Sequence, residues 1–320
     1  MATSTDITGV KDLDVNDIKR PLDESFYSLD KTEEEFITQQ TGIQDPQELK
    51  KHIINVQAEA YQVFPYPCIF RFGFAKLKIS RFPAYKELLR LGKERQGALF
   101  LDMACCVGND VRKAVADGFP VNQALASDLE PGFWKVGHNL FKSTPETFPV
   151  PFIPGDAFDS AFLAPATIST SLPDGPVPPL SSLTSLTPLI GRLSVIHASS
   201  FFHLFNEELQ LQLAKRMGSL LSPEPGSFIF GGHGGFLQKG PRSMPMSAAV
   251  QSITMFCHSP ESWKELWEKE IFSQGKVKVE VYLKEVQRQD LPAEGNATYH
   301  LMICLNIAVT DSAVAYQIQL

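Results

Sequence analysis

The amino-acid sequence predicts an α/β protein: a seven-stranded, mostly parallel sheet with helices on both faces, preceded by a helical cap. Two observations lead there. From Ala98 onward, short apolar runs alternate with helical stretches, as strands joined by crossover helices do. Three of the first runs also end in an acid, at Asp102, Asp128 and Asp156. In such sheets ligands bind beyond the carboxyl ends of the strands, near the reversal of strand order. The chain divides accordingly into a cap over residues 1–95 and a sheet domain over residues 96–320.

The cap comes first. Its opening 25 residues are polar and are expected to stay loosely ordered until docked. Thr32, followed by Glu33, Glu34 and Glu35, starts a helix. Asp45-Pro46-Gln47-Glu48 then supplies a capping acid, a proline at the first helical position and a reciprocal glutamate, ahead of a helix to about Val63. PAYKELLRLGKERQG reads as another helix, ending near Gly97. Between them lies the aromatic-rich VFPYPCIFRFGF. Tyr27, Tyr61, Phe64, Tyr66, Phe70 and Phe72 suit a lid that excludes water from a pocket, or plain packing of helices on the sheet.

In the sheet domain, ALFLDM is a buried strand and NDVRKAVADG a helix closed by Gly118. QALASD and PGFWKVGHNLF repeat the pattern, and VPFIPGD is a third strand. Residues 159–192 form a loop rich in proline, serine and leucine. RLSVIHAS is the fourth strand, EELQLQLAKRMGSLL an amphipathic helix and GSFIFGG the fifth strand. SPESWKELWEKEIF opens with a good helix entry. KVKVEVYLKEV and YHLMICLNIAV close the sheet as two long strands with a hairpin-like antiparallel end.

Composition narrows the function. The chain has 320 residues, 43% hydrophobic and 20% charged, and a formal net charge of −7. That balance argues against a nucleic-acid partner, which needs a basic face. No stretch approaches the about 18 apolar residues of a membrane span, and MATSTDITGVKDLDVNDIKR lacks the apolar core of a secretory signal. The five cysteines, Cys68, Cys105, Cys106, Cys257 and Cys304, are odd in number and form no C-x-x-C pair. They suit a reducing compartment, and Cys105-Cys106 reads as small apolar filling. A cytoplasmic protein, monomer or homodimer, is expected.

The turn after the first strand, in ALFLDMACCVGND, carries one glycine, Gly108. Ala104-Cys105-Cys106 occupy places where a dinucleotide-binding turn would have glycine. A pyrophosphate wants several glycines and no neighbouring negative charge. Here Asp102 stands just before the turn, which suits a ligand with an amino group and a sulfonium. S-adenosylmethionine is such a ligand: a nucleoside without phosphate and with a cationic tail. Asp128, 26 residues after Asp102, is placed to accept two hydrogen bonds from a ribose diol. Asp156, before Ala157-Phe158, is placed to accept from an adenine amino group while the phenyl ring packs on the base.

FLDMACCVGND, ASDLEPGFWKVGHNLF, FIPGDAFD and VIHASSFFHLF together resemble class I S-adenosylmethionine-dependent methyltransferases. In particular they resemble a fungal secondary-metabolism group of O-methyltransferases acting on polyketide-derived and meroterpenoid compounds. The resemblance covers residues 60–310. The family's turn reads acid-x-Gly-x-Gly-x-Gly, and Ala104 and Cys106 replace the first two glycines. The resemblance implies a Rossmann-like sheet, with cofactor contacts at Asp102, Ala104, Gly108, Asp128, Leu129, Asp156, Ala157, His197, Ala198 and Ser199.

For chemistry, the segment SVIHASSFFHLFNEE is similar to that after strand four in plant phenol O-methyltransferases. This makes His203 the candidate general base, and an imidazole of ordinary pKa suits the task. The alternative for a histidine there is a role in packing or hydrogen bonding alone. His233 in GGHGG is a candidate for lining the acceptor pocket, and Arg242 for clamping an acceptor carboxylate. Phe201, Phe202 and Trp134 are candidate walls for an aromatic substrate. His138, His197, His258 and His300 have no partner visible in the sequence. SVIHASS and IFGGHGG lack clustered acids, so no catalytic metal is expected. The expected activity is S-adenosylmethionine-dependent O-methylation of a small acceptor, with a phenolic or polyketide hydroxyl first and a carboxylate, giving a methyl ester, second. A cofactor-binding regulator without catalysis is the alternative of a different class; an NAD-dependent oxidoreductase is disfavoured by the turn.

Overall fold

The computed structural model describes residues 19–244, 253–287 and 297–307. The expectation for the opening residues therefore falls largely outside the described residues, as do the side chains of His300 and Cys304.

Alternation within the strands builds the two faces of the sheet. In β1 (Phe100–Met103) and the residue before it, Leu99, Leu101 and Met103 point to one face and Phe100 to the other. The other parallel strands are β2 (Ala124–Asp128), β3 (Phe152–Pro154), β4 (Val195–Ala198) and β5 (Phe228–Gly235). The first face is covered by helix Glu207–Leu220 and by Trp263 and Trp267 near the C-terminal end. The second is covered by helices Tyr85–Glu94 and Asn109–Ala116, through Leu88, Leu91, Val111 and Ala114.

The main sheet has seven strands in the order β3-β2-β1-β4-β5-β9-β8. Five of them pair in parallel, and β9 (Ala297–Ile307) runs antiparallel between β5 and β8 (Val277–Gln287). The antiparallel end expected from the last two apolar runs is thus present, and the parallel part is limited to five strands. One element differs from expectation. KGPRSM, where no strand is expected, forms β6 (Gly240–Met244), which pairs with β7 (Ile253–Cys257) in a separate two-stranded sheet. Its glycine and proline conceal a strand that is not part of the main sheet. Among the described residues, no helix is long and apolar enough to cross a membrane.

Of the two cap helices read from capping residues, the second starts as expected and the first starts at Lys31, just ahead of Thr32. Asp30 closes a capping box with Glu33 at the start of Lys31–Thr41, and Asp45 caps Pro46–Val63. Its core of Phe36, Ile53, Phe70 and Phe72 is shared with Phe133, Leu140 and Phe141 of the sheet domain. Polar ties hold the cap together and fasten it to the sheet domain. Buried Glu33 accepts from Lys76, Arg81 and the Leu77 N–H. Asp110, beside the turn after β1, accepts the N–H groups of Lys78 and Ile79 at 2.9 Å. The cap is therefore anchored at the helix that begins where the ligand is expected.

Candidate cofactor and acceptor site

The sheet order reverses between β1 and β4, so the ligand crevice of such a fold lies beyond their carboxyl ends. The turn after β1 adopts the left-handed backbone three times, with φ of 56° at Ala104, 52° at Cys106 and 73° at Gly108. The conformation that glycines make easy is kept without them at the first two positions. Gly108 is different, because a Cβ there would lie 2.5 Å from the indole of Trp134. Trp134, expected as a substrate wall, instead stacks on Phe152 at 5.0 Å and supports the turn from below.

Three of the turn's amide donors are spent within the protein. Cys105 N–H donates to Ser127 O at 3.1 Å, Cys106 N–H to Asp128 Oδ2 at 2.8 Å, and Gly108 N–H to Cys105 O at 2.8 Å. A pyrophosphate site needs such amides aimed at the ligand. These donors are not offered to an anion, and the carboxylate of Asp128 itself takes the N–H groups of Cys106 and Glu130. Phosphate-free adenosine with a cationic tail fits this donor set. Burial pushes the Asp128 carboxyl up to about 6. Burial also holds the Cys105 and Cys106 thiols well above the ordinary range, so both remain protonated filling.

Asp102 and His197 are placed differently from expectation. Both are buried, and neither turns its polar atoms outward as a cofactor contact. Asp102 Oδ2 accepts the Val111 N–H at 3.1 Å and its Oδ1 accepts from His197 Nδ1 at 2.8 Å. His197 Nε2 in turn meets Ser199 Oγ at 2.8 Å. The two residues act from behind, and Ser199 is the member nearest the open end of β4. Burial pushes the Asp102 carboxyl upward while the His197 hydrogen bond pulls it down. Asp156 Oδ1 accepts the Phe158 N–H at 2.9 Å, and Phe158 packs edge-on against Phe205 at 4.9 Å. Ala157 and Ala198 are buried in the core of the first face, and Leu129 is exposed. Tyr66 of the cap packs at a tilt against Phe64, with ring centroids at 4.3 Å, and feels the charges of Asp128 and Glu130; burial is the main cause of its raised pKa.

On the acceptor side, His203 lies in a single 3-10 turn, Phe202–Leu204, directly after β4. The Gly234 N–H of β5 donates to His203 Nδ1 at 3.1 Å. His233 is buried between Phe202 and Trp263, with ring centroids at 5.5 and 4.5 Å. Phe202 is itself buried edge-on against Trp263. These two expected pocket residues therefore sit in the core beneath His203. Arg242 stands over the Phe236 ring at 4.7 Å and pairs in register with Met255, which packs on Gly234 next to His203. Of the remaining histidines, His138 Nδ1 meets Ser143 Oγ and His258 Nδ1 meets Ser262 Oγ. Among the described residues, no cluster of three or more His, Cys, Asp or Glu is arranged to hold a metal.

A family model described as the meroterpenoid methyltransferase N-terminal domain matches residues 23–75. An O-methyltransferase, phiE, from Fungal sp. (strain ATCC 74256) is 30% identical over 77% of this chain and 72% of its own. The chain belongs to the fungal secondary-metabolite O-methyltransferases. Its cofactor is accordingly S-adenosylmethionine, and it is a class I methyltransferase enzyme. The Asnovolin E/Chermesin D methyltransferase nvfJ of Aspergillus novofumigatus (strain IBT 16806) is likewise 30% identical, over 81% of this chain and 82% of its own. Among solved structures, the Burkholderia thailandensis 1,6-didemethyltoxoflavin-N1-methyltransferase aligns over 83% of this chain and 92% of its own, with 14% identity and a TM-score of 0.44. The match to the family model, residues 23–75, falls within the stretch that the sequence reads as helical before the sheet.

Proposed function

We propose that this O-methyltransferase acts on the carboxylate of a small, largely apolar secondary metabolite, forming a methyl ester. The observation that carries the proposal is the hydrogen bond from Gly234 N–H to His203 Nδ1. A neutral imidazole has one protonated and one bare nitrogen. With Nδ1 accepting, the ring proton stays on Nε2, and His203 is set to donate a hydrogen bond rather than to remove a proton. A phenol needs its proton removed before or during methyl transfer, whereas a carboxylate arrives ionised and needs placement and desolvation. S-adenosylmethionine supplies the electrophilic methyl group when bound. Asp128 is suited to hold the ribose diol and Asp156-Ala157 to border the base, while Ala104 to Gly108 shape the space for the methionine portion. His203 Nε2–H orients the acceptor. Arg242, on strand β6, whose register partner Met255 packs on Gly234, is the candidate second donor to the carboxylate.

The phenolic reading keeps one specific support: His203 stands directly after β4, where a base would serve a hydroxyl acceptor. Alkali separates the two. The enzyme, incubated with fungal extract and methyl-labelled S-adenosylmethionine, is expected to yield labelled product that releases methanol on mild saponification. Labelled product that survives saponification as an aryl ether would establish the phenol instead.

A further inference from the structure

The segment Lys76-Leu77-Lys78-Ile79-Ser80-Arg81 joins the aromatic part of the cap to helix Tyr85–Glu94 and carries three cations. Two of them are spent. Lys76 and Arg81 each pair with the buried carboxylate of Glu33 at 3.1 Å, and Arg81 also pairs with Asp30. Lys78 is different. Its side chain is only partly exposed, and among the described residues its ammonium has neither an ion pair nor a hydrogen bond. A cation drawn out of water without a counter-ion is costly, and an anion supplied by a ligand would offset the cost.

The backbone of this segment is fixed beside the turn after β1. The Lys78 and Ile79 N–H groups donate to Asp110 Oδ1 at 2.9 Å, and the Asn109 side chain donates to the Lys76 carbonyl. Asn109 and Asp110 directly follow Gly108, so the segment lies along the end of the turn. Cys68 of the cap and Cys106 of the turn pack against one apolar cluster. Burial holds both thiols up, and the Lys78 charge opposes it at each, as a cation facing the turn from the cap side would.

S-adenosylmethionine brings an anion of its own, the carboxylate of its methionine portion. The turn is a poor place for that group. The N–H groups of Cys105, Cys106 and Gly108 are engaged within the protein. The first turn of helix Asn109–Ala116 already meets two acids: Asp102 takes the Val111 N–H, and Asp110 lies in the first turn itself. A third negative charge there would be repelled by both.

We infer that Lys78 binds the methionine carboxylate of S-adenosylmethionine, which makes the cap part of the cofactor site as well as a cover for the acceptor. The inference rests on the placement of the methionine portion at the Ala104–Gly108 turn and is independent of whether the acceptor is an acid or a phenol.

Binding titrations of the full chain with three probes test it without any acceptor. Decarboxylated S-adenosylmethionine keeps the sulfonium and the amine and lacks the carboxylate; 5′-methylthioadenosine keeps only the nucleoside and a thioether. The unmodified enzyme is expected to bind S-adenosylmethionine about tenfold more tightly than the decarboxylated form. Lys78→Met should weaken S-adenosylmethionine by about tenfold, the effect of losing a hydrogen bond between charged groups, and erase that preference. Lys78→Arg should keep most of the affinity. The two probes without a carboxylate should bind Lys78→Met unchanged, which also reports that the variant is folded. Asp128→Asn should weaken all three probes alike. If it does so while Lys78→Met has no effect, the nucleoside is placed as described and the Lys78 contact alone is refuted; if Asp128→Asn also has no effect, the placement fails and the inference with it. An equal loss for all three probes in Lys78→Met, or an unmodified enzyme that binds the decarboxylated form as tightly, would likewise overturn the inference.

Discussion

The carboxylate of Asp128 accepts the N–H of Cys106 at 2.8 Å and that of Glu130 at 3.1 Å, tying the end of β2 to the turn after β1. This residue serves two masters. Its burial favours the neutral acid, pushing the pKa from an ordinary 3.8 to about 6, while a bound ribose diol needs the carboxylate. The folded chain therefore holds a proton that the unfolded chain releases. The stability this contributes is present below 3.8 and lost as pH rises through about 6. Cofactor affinity runs the other way, rising through the same window as Asp128 ionises. Calorimetric titration of S-adenosylmethionine between about pH 5 and pH 8 is expected to show that step, and Asp128→Asn to remove it with about tenfold weaker binding at the upper end. A flat profile would show that Asp128 does not meet the ligand.

Ala104 and Cys106 hold a left-handed backbone that costs an L-residue roughly 1–2 kcal/mol. Glycine relieves that strain and returns part of the gain through the larger freedom of the unfolded chain. Ala104→Gly is expected to stabilise the enzyme by about 0.5–1 kcal/mol, visible as a melting temperature about one degree higher. Cys106→Gly should gain less, because the thiol packs against the cap core. A lower melting temperature for Ala104→Gly would mean that its methyl group contributes more through packing than its backbone costs.

The extent to which these features were legible in the sequence follows from the range of each interaction. Strand alternation and the acids at Asp102, Asp128 and Asp156 are local patterns, and they located the strands and the crevice. Asp102 and His197 are 95 residues apart, and their hydrogen bond exists only because β1 and β4 pair in register. The carboxylate therefore read as a ligand contact when its partner is a buried imidazole. Trp134 read as a pocket wall because periodicity gives the face of a helix and not what lies against it. The β6–β7 pair was hidden by the glycine and proline at the start of KGPRSM. The proton on His203 depends on a single backbone N–H from another strand, which no motif encodes.

The same His203 proton predicts a pH profile. With cofactor saturating, so that Asp128 is held ionised, turnover on a carboxylate acceptor should stay flat from about pH 6 to pH 8, since the acid is ionised throughout. A base of ordinary imidazole pKa would instead give a rate that falls below about pH 6.5. His203→Gln keeps both an acceptor for Gly234 and an N–H donor, and is expected to retain most of the turnover. His203→Phe keeps the bulk without either, and should raise the acceptor KM about tenfold with a smaller effect on kcat. A falling profile together with an inactive His203→Gln would restore the general-base role.

Gly108 and Trp134 allow backbone strain and steric conflict to be separated at one residue. Ala104, four residues earlier, shows that a methyl-bearing residue can hold this left-handed backbone. At Gly108 the same methyl would also lie 2.5 Å from the indole, a distance that forces the ring or the turn to move. Gly108→Ala is therefore expected to combine about 1 kcal/mol of backbone cost with about 1–3 kcal/mol of overpacking. Displacing the turn should also weaken cofactor binding. Trp134→Leu alone opens a cavity beneath the turn and destabilises by about 2–4 kcal/mol. In the double variant the new methyl enters the space the indole vacates, so the two losses should sum to more than the combined effect by at least about 1 kcal/mol. The coupling is read from denaturant unfolding of the four proteins. Strict additivity would mean that the indole does not oppose a side chain at position 108, and that the requirement for glycine there is one of backbone conformation alone.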